Sequence, residues 1–164
     1  MSGKQDLIIE ADTQFWLCEQ GGTFNIPLGA YQGTNGLVFA GDGYAVFLTG
    51  IHMGQVTVTV DFRQDEPPLD LDAWEEVVDV SVRFLNGPAT FTSPDPSGWL
   101  SEPRLPRGSY RLRVHARKRD TAHQAGDSFE EPIEEFLISA WPAPTTPEVR
   151  HKLTDGIGQV YRQQ

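Results

Sequence analysis

Arg111, Arg113, His115 and Arg117 recur at a spacing of two, and Arg119 continues the series. A strand turns residues i, i+2 and i+4 to one side, so this spacing predicts one basic face. The intervening Tyr110, Leu112, Val114 and Ala116 predict an apolar face on the other side. A row of guanidiniums offers planar forks of donors to phosphate or carboxylate. Such a row either contacts an anionic partner or pairs internally across the sheet. Internal pairing is the expectation here, because Glu130, Glu131, Glu134 and Glu135 follow after one long loop. Opposite charges directly across two strands stabilise by roughly 0.2–1 kcal/mol. His115 lies among like charges that disfavour its protonated form. It reads as a sheet-face histidine, and catalysis by His115 with Arg113 and a loop carboxylate is the weakest functional reading.

The counterpart of the stripe is acidic. Residues 61–86 hold Asp61, Asp65, Glu66, Asp70, Asp72, Glu75, Glu76 and Asp79 against Arg63 and Arg83, a net charge of −6. Residues 104–119 hold seven bases and no acid. Over 164 residues the net charge is −10. That balance argues against a general nucleic-acid binder, which needs a basic surface to displace phosphate counterions, so no direct nucleic-acid contact is expected. An acidic face suits docking on a basic protein surface, such as the active site of a toxin or nuclease, where opposite charge speeds association. The candidate contacts are Asp65, Glu66, Asp70, Asp72, Glu75 and Glu76.

Other chemistries find little support. Asp120, His123 and Asp127 share a loop, but they lack a recognised metal-ligand spacing, and neither a metal nor a cofactor is expected. The adjacent pairs Glu75-Glu76, Glu130-Glu131 and Glu134-Glu135 point to opposite faces if extended, so they do not converge on one substrate. The chain has no Gly-x-Ser-x-Gly elbow, no Gly-Lys-Ser/Thr loop and no His-Glu-x-x-His, and no enzyme is expected. Trp99, in a Pro-rich loop, supports an alternative reading as a small-ligand or carbohydrate-binding module, with the Arg111, Arg113, His115 and Arg117 face as a second candidate surface. The single cysteine, Cys18, rules out an internal disulfide and reads as a small core residue.

The elements that must position these residues are strands. Val56, Val58, Val60 and Phe62 alternate with polar residues, as do Val78, Val80, Val82 and Phe84. Less regular candidates are Leu7–Ala11, Gln14–Glu19, Leu37–Ala40, Tyr44–Thr49 and Glu134–Trp141. Gly and Pro clusters punctuate them, among them Gly21-Gly22, Gly41-Asp42-Gly43 and Pro94-Asp95-Pro96. The expectation is an all-β domain over residues 1–141, an antiparallel sandwich or partly closed barrel. Residues 142–164 read as a Pro-rich linker and a short tail, with a helix capped by Thr146 carrying Pro147 in its first turn. Leu69–Glu76 reads as a single acidic helical turn. No signal-peptide pattern or membrane-length apolar run is visible, and a cytoplasmic protein is expected.

The segment Gly108-Ser109-Tyr110-Arg111-Leu112-Arg113-Val114-His115-Ala116-Arg117, with Glu131-Pro132-Ile133-Glu134-Glu135-Phe136-Leu137-Ile138 and Trp141-Pro142-Ala143-Pro144, resembles a pattern of small uncharacterised bacterial proteins. That group implies no activity. More loosely, the order of an early Gly-bounded strand pair, a mid-chain strand and a late Gly-x-Tyr strand is similar to the competence-associated nuclease inhibitor family. This second resemblance implies a small β-rich protein that binds and silences a nuclease.

Overall fold

The computed structural model describes residues 3–20, 26–94, 99–127 and 131–164. The Gly21-Gly22 turn, residues 95–98 of the Trp99 loop and Glu130 lie outside the described residues.

The alternating segments form one large mixed sheet that does not close. Its strands are β1 (Lys4–Glu19), β2 (Val38–Gly41), β3 (Tyr44–Phe62), β4 (Glu76–Phe84), β5 (Ala89–Thr92), β6 (Gly108–Arg117), β7 (Glu135–Pro142) and β8 (Val149–Leu153). The order is β5-β1-β3-β7-β6-β4-β8, with β2 also on β3. The all-β expectation holds, but the sheet is not wholly antiparallel, because β3 and β7 run parallel.

Two pairs of expected strands are single long strands. Leu7–Ala11 and Gln14–Glu19 merge into β1 across a bulge, where the register shifts between Asp12 and Gln14 and Thr13 takes φ 57°. Tyr44–Thr49 and Gln55–Phe62 merge into β3 through Gly50 and Gly54. The sheet folds over at this level. Phe15, near the end of β1, meets Phe136 of β7 edge-on with ring centroids 5.1 Å apart, and stacks on Phe47 at 4.8 Å. The core fills the fold with Val56, Val58, Val60, Val78, Val80, Val82, Leu112, Val114 and Ile138, all buried.

The helices differ from expectation. Residues 69–75 hold a turn at 72–73 but no helix, and Glu76 already opens β4. The segment expected as a helix from Thr146 supplies β8 instead, which pairs antiparallel with β4 from Glu76 to Asp79. An open β4 edge offers ladder hydrogen bonds that a short, Gly-interrupted helix cannot match. The helical turns come later, in α2 (Gly156–Arg162), whose N-cap Asp155 accepts the Gly158 N–H at 2.7 Å. The other helix, α1 (Arg119–Ala125), follows Lys118 at φ 66°, which takes Arg119 off the β6 face.

Candidate partner-docking surface

The β6 side chains opposite the core are buried as well. Arg111, Arg113 and His115 are each under a tenth exposed. The segment between β3 and β4 and the segment between β7 and β8 lie over this face.

Arg113 stands directly opposite Asp79 in the β6–β4 ladder. Its Nε and Nη2 donate to the Asp79 carboxylate at 2.8 and 3.0 Å. Nη2 also donates to Glu66 at 3.0 Å and Nη1 to the Pro67 carbonyl at 2.9 Å. The guanidinium lies 5.3 Å from the Trp141 ring centroid. Burial pushes the Asp79 carboxyl up, but hydrogen bonds from Arg113 and His151 outweigh it and hold the group below its ordinary value. Arg117 grips Glu135 with Nε and Nη2 at 3.0 and 3.3 Å, donates Nη1 to the Ala73 carbonyl at 3.2 Å, and covers the Trp74 ring at 4.5 Å. Arg111 spends its donors on Ser81 Oγ and the carbonyls of Thr146 and Pro147.

The stripe is therefore neutralised internally, as expected, but mostly by other groups than the glutamates after it. Glu135 alone of the expected set pairs with it among the described residues; Glu134 turns to the backbone of β3, and Glu131 is exposed. With Arg111, Arg113 and His115 buried and Arg117 committed to Glu135, this face is corrected as a candidate ligand surface. Burial lowers the His115 pKa against the opposing effect of the Leu137 carbonyl, to which its Nδ1 donates at 2.9 Å, with Trp74 packed 5.4 Å away.

Four bases hold the acidic loop by its backbone. Arg63 donates to the Asp65 carbonyl, Arg113 to Pro67, Lys152 to Leu71 and Arg117 to Ala73. This grip is made mainly through carbonyl oxygens, with the Arg113 bond to Glu66 beside them. Asp65, Glu66, Asp70, Asp72 and Glu75 are all exposed. Glu66 pairs with Arg113 while its side chain stays 62% exposed. Glu75 Oε1 accepts the Lys118 N–H at 2.6 Å. Leu69, 47% exposed, gives the loop an apolar point.

Glu76 does not share this surface. It is fully buried in a cluster beneath α2, which corrects its place among the candidate contacts. Its Oε1 accepts from Arg119 and Arg162, and its Oε2 from the Thr154 and Asp155 N–H groups. Arg119, also fully buried, donates to both Asp155 oxygens at 2.7 and 2.8 Å and to the Gly36 and Leu48 carbonyls at 2.9 Å each. A Cβ on Gly50 would collide with the Arg119 carbonyl, which is why glycine stands at the β3 bend. Beside this cluster Glu134 accepts the Gly50 and Ile51 N–H groups at 2.9 and 2.8 Å; burial nevertheless raises it to about 7.

The remaining candidates are dispersed. Asp120 accepts the Gly156 and Ile157 N–H groups, His123 Nδ1 donates to the Gly50 carbonyl, and Asp127 accepts the Met53 N–H. Among the described residues no three His, Cys, Asp or Glu side chains are placed to hold a metal ion. Trp99 is 39% exposed, whereas Trp141 is buried and Trp74 lies against Arg117. No helix among the described residues is long and apolar enough to cross a membrane.

Nothing matches among protein-family models or curated proteins. Among solved structures, ComJ from Bacillus subtilis, an inhibitor of the DNA-degrading activity of NucA, is similar over 87% of this chain and 98% of its own, with 15% identity and a TM-score of 0.55. The chain shares the fold of ComJ. A crocagin biosynthesis protein, gene J of its cluster, is similar over 88% of this chain and 99% of its own, with 16% identity and a TM-score of 0.56. The looser resemblance to nuclease inhibitors is thus present at the level of fold.

Proposed function

We propose that the protein is a non-enzymatic inhibitor or immunity factor that occludes a basic toxin or nuclease with its 64–75 loop. The observation that carries this reading is the way the loop is held. Arginine and lysine side chains fix its backbone carbonyls to the sheet, and Asp65, Glu66, Asp70, Asp72, Glu75 and Leu69 are all exposed. A preordered acidic surface steers a basic partner and loses little conformational entropy on docking. ComJ, which shares the fold, inhibits a nuclease, and this supports the same class of partner here.

The test is DNA degradation by basic nucleases, NucA first, with and without the protein. A second arm uses the quadruple variant Asp65→Lys, Asp70→Lys, Asp72→Lys and Glu75→Lys, which spares Glu66 and its bond to Arg113. Suppression by the wild type and not by the variant is expected. No suppression by the wild type, or equal suppression by both, contradicts the reading.

A further inference from the structure

Among the described residues, the first half of β1 is hydrogen-bonded on one side only. Its register with β3 runs from Lys4 against Asp61 to Asp12 against Met53. On its other side β5 pairs with Trp16–Glu19 alone. Among the described residues no strand pairs with the remaining edge and no loop backbone hydrogen-bonds to it. A strand edge of this length presents a row of N–H and C=O groups that template another strand. No proline interrupts it, and the bulge at Thr13 lies beyond its end.

The side chains state what that strand must carry. Ile9 and Ala11 face the core, while Lys4, Asp6, Ile8, Glu10 and Asp12 lie on the outer face and are exposed, Ile8 by 59%. Thr59 Oγ1, directly across the β1–β3 ladder, donates to one Asp6 oxygen at 2.8 Å. A second copy of this chain gains no net charge attraction there: paired antiparallel about Ile8, it sets Asp6 opposite Glu10 and Lys4 opposite Asp12, so repulsion offsets attraction. A strand of alternating basic and apolar residues instead meets the acids with opposite charge.

We propose that the open edge of β1 takes up an extended basic segment of the partner as an added strand, with Asp6, Glu10 and Asp12 selecting its Lys or Arg side chains. This rests on the reading of a basic protein partner and gives that partner a second contact, separate from the 64–75 loop.

The test follows amide hydrogen exchange in the full chain, with the end-blocked peptide Lys-Val-Lys-Val-Lys-Val-Lys as the probe. At saturating peptide, edge-facing amides among residues 4–12 should exchange at least tenfold more slowly, with no change in residues 64–75. The triple variant Asp6→Asn, Glu10→Gln and Asp12→Asn should bind the peptide at least fivefold more weakly while its β7 amides exchange as in wild type. The loop variant with four lysines should retain the β1 protection, so failure of the loop reading and failure of this one are distinguishable. Absent protection, equal protection by Glu-Val-Glu-Val-Glu-Val-Glu, or protection that grows with protein concentration in the absence of peptide overturns the proposal. The last of these would assign the edge to a second copy.

Discussion

Arg113 and Asp79 form a buried bidentate pair, one directly across the β6–β4 ladder from the other, with contacts of 2.8 and 3.0 Å. Glu66 extends the pair to the surface, so one guanidinium ties the sheet to the acidic loop. The fold's inner electrostatics and its outer charge are therefore coupled through a single side chain.

Replacing Arg113 by Met tests that coupling. It leaves Asp79 buried without Arg113 opposite, and loss of one member of a buried pair costs about 3–5 kcal/mol. Urea unfolding should show that loss, and amides of residues 64–75 should exchange faster. Adding Asp79→Leu should recover much of the stability without restoring the loop, since the Pro67 and Glu66 contacts stay broken. A single variant as stable as wild type contradicts this account.

Glu134 makes stability depend on pH. Its folded-state pKa of about 7 lies above its ordinary 4.5 because burial outweighs the two backbone N–H groups it receives. The folded state holds a proton that the unfolded chain releases across this window. The contribution is full below pH 4.5 and is lost as pH rises through 7, with a slope of up to about 1.4 kcal/mol per pH unit. Arg119, Asp155 and Tyr161 bear on the same site. Urea midpoints between pH 4.5 and 7.5 should fall less steeply with rising pH in Glu134→Gln than in wild type. Identical slopes contradict the assignment.

Asp155 both caps α2 and neutralises Arg119. Asp155→Ala should cost at least about 3 kcal/mol, since it leaves a buried guanidinium with two backbone carbonyls and, for counter-charge, the longer 3.4 Å contact to Glu76. Limited proteolysis should then cut first between β8 and the C-terminus. Cleavage beginning elsewhere, or unchanged resistance, contradicts the role of this cluster in docking α2.

The strands were legible because period two is a strong signal where one face is apolar: Val56, Val58, Val60 and Phe62 sit as their alternation requires. The second face of β6 was not. Alternation reads Arg113 and His115 as solvated, whereas the loop between β3 and β4, which meets Arg113 from 46 and 47 residues earlier, lies over this face, and long-range covering leaves no local trace. Arg119 continued the spacing of the stripe but left the strand through the left-handed turn at Lys118, which no glycine announced. The C-terminal helix is capped at Asp155 and not at Thr146, because the open edge of β4 takes up the residues after Pro147 as β8. The acidic loop itself was visible as composition. That its carboxylates face outward, with Glu76 excepted, depended on which backbone carbonyls the bases found.

The association rate between the protein and a basic nuclease, the partner class proposed for it, measured at about 20 and 200 mM salt, tests the central claim most directly. If the 64–75 loop steers the encounter, substituting Lys for Asp65, Asp70, Asp72 and Glu75 should slow association about tenfold or more at low salt and abolish most of its salt dependence. An unchanged association rate, from a variant that unfolds at the wild-type temperature, would contradict the assignment of this loop as the docking surface.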